Sequence, residues 1–221
     1  MPSASEGALE IEAAGETLRL LPQCAVFWPR LRMLLMADAH LGKAAAFRNG
    51  GIPVPSGTTD ENLQAIDRLV KDCGAKQVVF LGDLVHSAAA RRAMSAAFAE
   101  WRERNAALDI VLVRGNHDRR AGGIPAEWRV DSVEEPYVVG PFALCHAPAE
   151  VAGSYGIAGH THPCVNLRGR GREHLRLPCF WFRRGYAVLP AFGAFTGMAD
   201  VEPDDTDRVY VVADDRVLAV N

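Results

Sequence analysis

The sequence predicts an α/β fold in which a mainly parallel sheet is followed by a second half made mostly of strands. In the first half, apolar runs typical of buried strands alternate three times with loops and helices, as in a parallel sheet with right-handed crossovers. After residue 118, the strand candidates are joined by short links, which predicts a second sheet packed on the first. No linker or repeat divides the 221 residues, so we expect one domain over residues 1–221.

The first half opens with a weakly alternating segment, Leu9–Leu20, which predicts a hairpin that turns at Ala14-Gly15. The apolar run Leu31–Ala37 predicts the next strand. The stretch Gly42–Pro55 is rich in Gly and Pro and is typical of a loop.

Two helices and two further strands complete the alternation. Thr58 could cap the first helix, Glu61 completes a capping box, and Gly74 fits the end of the helix. The apolar stripe of this helix consists of Leu63, Ile66, Leu69 and Val70. The elements after it are the strand Gln77–Leu81, the helix Arg91–Asn105 and a strand that starts at Ile110 and must stop at Gly115.

The second half reads as a series of short strands. The candidates are Val138–Cys145, Gly156–Ala158, Ala187–Leu189, Arg208–Val212 and Val217–Val220. Between them, Arg168–Arg172 alternates Arg with Gly, which is typical of a hairpin tip or loop.

The composition is that of an ordinary folded protein, with 49% hydrophobic and 23% charged residues and a net charge of −3. The net charge of the whole chain does not indicate nucleic-acid binding, so any polyanion would have to bind to a local cluster of basic residues. The N-terminus lacks the features of a signal peptide, and no stretch is long enough to span a membrane. Five cysteines without a C-x-x-C pair predict free thiols in a reducing cytoplasm.

Polar residues follow the predicted strands where each strand ends, which is where ligands bind in open α/β sheets. The motifs are Asp38-x-His40, Gly82-Asp83, Gly115-Asn116-His117-Asp118, His146 after a strand, and Gly159-His160-Thr161-His162. Each residue alone is more often a turn, a cap or a core histidine. Together the five motifs predict a binuclear metal centre.

The spacing of the motifs has a physical meaning. On extended backbone, residues i and i+2 project to one side, so Asp38 and His40 could hold one ion. His160 and His162 could serve two ions about 3.5–4 Å apart. Carboxylate, imidazole and amide ligands suit Mn, Fe or Zn and not a soft thiolate site.

In this order, the motifs D-x-H, G-D, G-N-H-D, a lone His and G-H-x-H resemble those of the calcineurin-like metallophosphoesterases, over residues 38–162. The resemblance implies a four-layer αββα sandwich. It also implies two divalent ions, a first held by Asp38, His40 and His162 and a second held by Asn116, His146 and His160. Asp83 would bridge the ions, and His117 would touch the scissile phosphate.

A closer resemblance extends toward both ends of the chain. Its motifs are Leu41-Gly42-Lys43-Ala44, Phe47-Arg48, Gly51-Ile52-Pro53-Val54-Pro55, Leu144-Cys145-His146 and Leu189–Gly197. They are similar to those of the ligase-associated DNA damage response endonucleases (PdeM). This implies a DNA substrate and, as partners, a repair helicase and DNA ligase.

Three further residues are candidate catalytic groups. His117, if protonated, could stabilise the phosphate or protonate the leaving oxygen. Asp118 could orient His117 or only cap a turn. The run Gly82–Ser87 is similar to that of the break-repair exonucleases, whereas protein phosphatases carry Asp where His86 stands. His86 could contact the phosphate, orient His117, or support the site structurally.

These observations predict a binuclear-metal phosphodiesterase, most consistent with Mn, that cleaves DNA in repair by attack of a metal-activated hydroxide. The candidate contacts to the DNA backbone are Lys43, Arg48, Arg119, Arg120 and Arg168–Arg172, each of which could instead be a solvated charge. One alternative is a phosphodiesterase of small molecules or cyclic nucleotides. A scaffold that has lost its metals is another. Measuring the metal content and the turnover of a chromogenic diester tests the hypothesis of a non-enzymatic scaffold. A DNA nicking assay distinguishes the DNA endonuclease from the small-molecule phosphodiesterase.

Overall fold

Two β-sheets packed face to face form the frame of the chain. A computed structural model describes residues 6–44, 47, 51, 58–168, 174–193 and 196–220. Most of the predicted loop Gly42–Pro55 lies outside these residues, as do Arg48 and the Arg and Gly residues of 169–172. The two-sheet α/β sandwich predicted from the sequence is confirmed.

The first sheet has seven strands that lie side by side in chain order. They are β1 (Leu9–Ala13), β2 (Glu16–Leu21), β3 (Ala25–Trp28), β4 (Met33–Met36), β5 (Gln77–Leu81), β6 (Asp109–Val113) and β7 (Asp131–Val133). β1 to β4 pair antiparallel and β4 to β7 pair parallel. The predicted hairpin and parallel strands are confirmed, but β4 begins after residue 31 because Pro29–Leu31 forms a 3-10 turn. β3 was not predicted.

Three α-helices that the structure describes from end to end pack on the outer face of the first sheet. They are α1 (Thr58–Cys73), α2 (Ala88–Arg104) and α3 (Asn116–Ala121), with a 3-10 turn at Ala126–Trp128. In addition, Lys43, Ala44 and Phe47 are helical, so the predicted loop Gly42–Pro55 is wrong at these residues. Because strand side chains alternate between faces, Leu34, Val78 and Ile110 face these helices while Leu35, Val79 and Val111 face the second sheet. α3 was not predicted: the polar residues after β6 open a short helix.

The strands of the second sheet are β8 (Tyr137–Val139), β9 (Phe142–Leu144), β10 (Tyr155–Ala158), β11 (Pro163–Arg168), β12 (His174–Phe182), β13 (Tyr186–Val188), β14 (Ala199–Asp200), β15 (Arg208–Ala213) and β16 (Arg216–Val220). Their order in the sheet is β14-β11-β12-β13-β10-β9-β8, with β15 paired to β12 and β16 paired to β15. The predicted single strand Val138–Cys145 is wrong. Gly140, with φ of 56°, turns the chain there into the antiparallel pair β8–β9.

The core between the sheets contains large side chains from both, among them Trp28 and Phe142, whose rings meet edge to face at 4.9 Å. Described residues after 128 form no helix. The outer face of the second sheet instead carries a small apolar cluster around Cys179, Val209 and Val211. No helix in the described ranges has both the length and the apolar content that crossing a bilayer needs.

Candidate metal centre

The seven predicted metal ligands come together where strands of both sheets end. Asp38 follows β4 and Asp83 follows β5, while Asn116 is the first residue of α3. His146 follows β9, and the pair His160 and His162 lies between β10 and β11. The structure therefore places the ligand candidates of the first sheet opposite those of the second.

The first group consists of Asp38, His40 and His162, whose ligand atoms lie within 4.8 Å of one another. Asp38 is fully buried, and among the described residues its Oδ1 atom has no hydrogen-bond donor. The Nε2 atom of His162 lies 3.5 Å from this oxygen. A buried carboxylate oxygen without a donor is costly, and a cation placed here would remove that cost.

The second group consists of Asp83, His146 and His160, with the amide of Asn116 beside them. The Nδ1 atom of His146 lies 3.2 Å from the Leu81 carbonyl, which can only accept a hydrogen bond. In the neutral ring, Nε2 therefore carries a lone pair, and it faces the Asn116 Oδ1 atom at 2.9 Å. Nδ1 of His160 lies 2.9 Å from the same Nε2 atom, so potential ligand atoms of three residues meet here and fit a cation held among them.

Asp83 lies between the two groups. Its Oδ2 atom is 3.8 Å from His40 Nε2, and its Oδ1 atom is 3.7 Å from His146 Nε2. Oδ1 also accepts a hydrogen bond of 2.8 Å from the backbone N–H of His117. The two carboxylate oxygens thus face different groups, as a bridging ligand requires.

The backbone at the site is left-handed. Asp38, His40, Asp83, His160 and His162 have φ values of 52°, 42°, 50°, 72° and 50°. The expectation of extended backbone at the D-x-H and H-x-H motifs is therefore wrong, because the chain turns sharply as each strand ends. Non-Gly residues in this region cost about 1–3 kcal/mol each and cluster at functional sites.

Two glycines allow the groups to approach one another. Gly82 has φ of 79°, and a Cβ atom there would overlap the ring of His146. A Cβ atom on Gly159 would overlap Oδ2 of Asp38, which accepts a hydrogen bond of 2.7 Å from the His160 N–H. The predicted role of glycine before these ligands therefore has a steric basis.

His117 lies beside the metal groups in the first turn of α3. Its Nδ1 atom donates to the His86 carbonyl at 2.8 Å, and its Nε2 atom is 4.0 Å from Asp83 Oδ2. The rings of His86 and His117 stack, with centroids 5.2 Å apart. His40, His86 and His117 form a further group of potential ligands. Since His40 also belongs to the first group, His86 and His117 are the two histidines that border the metal groups here without belonging to either of them.

Asp118 binds backbone amides. It is buried, and it accepts hydrogen bonds from the N–H groups of Gly115 at 2.9 Å and Val85 at 3.1 Å. Burial raises the pKa of Asp118, although these two bonds act in the opposite direction. Of the two roles left open by the sequence, the geometry favours capping, and the group that pairs with His117 is the His86 carbonyl.

Comparison with known proteins bears directly on this geometry. Residues 31–162 match the model of the calcineurin-like phosphoesterases. The chain belongs to the calcineurin-like phosphoesterase family. It is similar to the crystal structure of the Pseudomonas putida nuclease MPE, with 40% identity, a TM-score of 0.84, and coverage of 96% of this chain and 100% of that one.

A more distant match to this phosphoesterase is Yfce, a phosphoesterase from E. coli, with 14% identity, a TM-score of 0.39, and coverage of 83% of this chain and 88% of that one. A search of curated proteins gave no match. Family membership makes the chain a metal-dependent hydrolase of phosphoesters.

The electrostatics of this phosphoesterase act in opposite directions on two of the proposed histidine ligands, His40 and His162. Burial, followed by the charges of Lys43 and the neighbouring histidines, lowers the pKa of His40 to about 2. Burial also lowers the pKa of His86 and that of Lys43. For His162 burial acts downward, but the Asp38 carboxylate and the Gly197 carbonyl raise its pKa overall. Neutral imidazole is the form that binds a cation.

Two supporting groups of the phosphoesterase site were missed by sequence reasoning. Glu135 accepts hydrogen bonds from the backbone N–H groups of His146 at 2.8 Å and Ala147 at 3.1 Å. The Gly197 carbonyl pairs with Nδ1 of His162 at 2.9 Å. Neither has a local signal, because one is a lone Glu and the other is a backbone atom far along the chain.

Proposed function

We propose that this chain is a two-metal phosphodiesterase that cleaves DNA internally during repair. The observation that carries the proposal is Asp83, whose two oxygens face two separate ligand groups. In this assignment, Asp38, His40 and His162 hold one ion, Asn116, His146 and His160 hold the other, and Asp83 bridges them. Two divalent ions, most consistent with Mn and with Fe or Zn allowed, would activate water and neutralise the phosphodiester.

His117 is the proposed general acid. Because its Nδ1 atom donates to the His86 carbonyl, its Nε2 atom is the one turned toward the site. In the protonated ring, Nε2–H can donate to a phosphate oxygen or to the leaving oxygen. In this scheme, His86 orients His117 through its backbone and borders the substrate with its ring, and Asp118 holds the loop that carries both.

DNA as the substrate is supported by the similarity to a solved nuclease and by local cations. Lys43 is half-buried beside the first group, where it interacts electrostatically with Asp38 and Asp83. Arg120 is exposed, whereas Arg119 pairs with Glu134 at 2.9 Å. The proposed partners, a repair helicase and DNA ligase, rest on the sequence resemblance. The proposed location in the cytoplasm rests on the five free thiols.

The test uses metal-free protein given Mn, Mg or Zn and single- or double-stranded DNA circles. We expect the parent protein to bind two ions and to linearise or nick the DNA circles. Asp83→Asn should bind both ions more weakly and should no longer cleave DNA. Turnover of small diesters or cyclic nucleotides without DNA cleavage would favour the alternative substrate class. Full activity of Asp83→Asn would contradict the bridging role.

A further inference from the structure

The ring of His162 is hydrogen-bonded to a segment that lies far from it in sequence. Its Nδ1 atom is 2.9 Å from the Gly197 carbonyl, and since a carbonyl only accepts, the ring donates from Nδ1. The Nε2 lone pair is thereby turned toward Asp38, 3.5 Å away. Such a hydrogen bond sets the tautomer and the direction of a metal-binding histidine.

The segment 196–200 that supplies this carbonyl has few anchors. Its residues are exposed or half-exposed, and a Cβ atom added at Gly197 would meet no atom within 4 Å. β14 is only two residues long and pairs with β11. Its neighbouring backbone bonds are Ala199 N–H to the His162 carbonyl and Val201 N–H to the Cys164 carbonyl, both 3.0 Å.

Arg176, on β12, is the side chain that ties this segment to the sheet. Its Nη2 atom donates to the Met198 carbonyl at 2.9 Å, next to Gly197, and its Nε atom donates to Asp200 Oδ1 at 3.1 Å. Nη2 also lies 3.3 Å from the Cys164 sulfur, which itself donates to Asp200 Oδ1 at 3.1 Å. One planar guanidinium on β12 thus binds the residues just after Gly197 and also contacts Cys164, on the strand that follows His162.

We propose that Arg176 is a positioning residue for the metal ligand His162. Through the Met198 carbonyl and Asp200, it holds the Gly197 carbonyl where His162 Nδ1–H can reach it. The inference rests on the proposed function, because it assumes that His162 binds the first ion. The Arg176 side chain is 43% exposed, so its role is not core packing. Lys could keep a contact with Asp200 but could not reproduce the planar fork.

The experiment compares Mn binding by the parent, Arg176→Ala, Arg176→Lys and His162→Ala. Arg19→Ala serves as the matched control, because Arg19 makes a 2.9 Å ion pair with Glu10 far from the site. Calorimetric titration of metal-free protein reports each ion separately, and urea unfolding without metal reports stability. Outer partners of metal ligands contribute about 10–100-fold in affinity. We therefore expect Arg176→Ala to lower the affinity for one ion by about that factor and to change the affinity for the other ion little. Arg176→Lys should show an intermediate loss of affinity, and Arg19→Ala should bind both ions as the parent does.

Three results would overturn the inference. If Arg176→Ala binds both ions as the parent does while His162→Ala loses one, the proposed function stands and the role of Arg176 is wrong. If His162→Ala also keeps both ions, the ligand assignment itself fails. If Arg176→Ala lowers the affinity for both ions equally and also lowers the unfolding free energy of the metal-free protein, Arg176 stabilises the fold in general and does not position His162. Should Arg176→Ala not fold, Asp200→Asn, which weakens the same tether, is expected to give the same selective loss.

Discussion

At the scale of single residues, the site depends on backbone conformations that most side chains avoid. Five of the proposed ligands are left-handed, and they stay so because backbone bonds hold them, such as His40 N–H to the Asp83 carbonyl at 2.8 Å. Gly82 provides the space into which the His146 ring fits. Left-handed backbone and close packing of side chains therefore occur together at the few positions that form the site.

Gly82→Ala should lose affinity for the second ion, because its methyl group would displace the His146 ring. Gly153→Ala is the matched control: Gly153 has φ of 77° against 79° for Gly82, but an added Cβ atom there meets nothing. Both variants should lose about 1–2 kcal/mol of unfolding free energy from left-handed strain. Only Gly82→Ala should lose metal in a Mn titration, and equal binding by the two variants would contradict the steric argument.

His117→Ala should keep both metals and lose most DNA cleavage. Its ring is 31% exposed and contacts the site from one side, so removing it should leave the ligand groups in place. General acid–base groups contribute about 10²–10⁴-fold, so slow cleavage should still be measurable. Initial rates on a DNA circle, together with the metal content of the purified variant, provide the check. A variant depleted of metal would show that His117 is a ligand.

At the scale of elements, α2 begins at Ala88, two residues after His86, whose carbonyl accepts a hydrogen bond from the His117 ring. Ser87 caps α2, and its Oγ atom accepts from the Ala90 N–H at 3.2 Å. The cap fixes the direction in which the chain leaves the site. Ser87 is therefore the boundary between α2 and the loop that carries His86.

Ser87→Ala should lower the unfolding free energy by about 0.5–2 kcal/mol, the usual cost of losing a serine cap. Ser132→Ala on the exposed face of β7 is the control and should change little. Urea unfolding of the metal-free proteins measures both. If the two variants unfold alike, the hydrogen bond of Ser87 does not stabilise α2.

At the scale of the whole molecule, the proposed ligands belong to both sheets. The His160 N–H donates to Asp38 Oδ2 at 2.7 Å, and the Phe192 N–H donates to the Ala37 carbonyl at 2.8 Å. An ion held by Asp38 and His162 would add a further link between the sheets. Metal binding should therefore stabilise the complete sandwich and not one loop.

Adding Mn at about 100 times its dissociation constant should stabilise the fold by about 2.7 kcal/mol per site. For a chain of this length, each kcal/mol raises the unfolding midpoint by about 2–4 °C. Thermal unfolding in EDTA and in Mn should therefore differ by about 5–10 °C for one site and more for two. Asp83→Asn should show a smaller shift, and an unchanged midpoint in the parent would argue against metal binding by the folded state.

With a net charge of −3, the proposed binding of DNA would depend on local cations. Arg119 is already paired with Glu134, so Arg120→Ala should impair DNA cleavage more than Arg119→Ala does. Hydrolysis of a small chromogenic diester should be unaffected by either change. Removing one cation that binds a DNA phosphate should lower the salt dependence of binding by about one unit. Equal DNA cleavage by Arg120→Ala and the parent would show that DNA is bound by other residues.

Sequence alone determined the first hairpin, the alternation of parallel strands with two helices in the first half, and the residues that could bind metal. These follow from local patterns: β5 was predicted with its observed bounds because the apolar residues Val78–Leu81 are followed directly by Gly82-Asp83. The assignment to the calcineurin-like family also rests on motifs that are short and contiguous.

Only the tertiary structure decided how those residues are used. Gly140 breaks one predicted strand into two, Asp118 caps backbone amides, and the left-handed turns replace extended backbone at the ligands. The Gly197 carbonyl reaches His162 across 35 residues of chain. Each of these depends on atoms brought together from distant segments, and no pattern within a few neighbouring residues records that proximity.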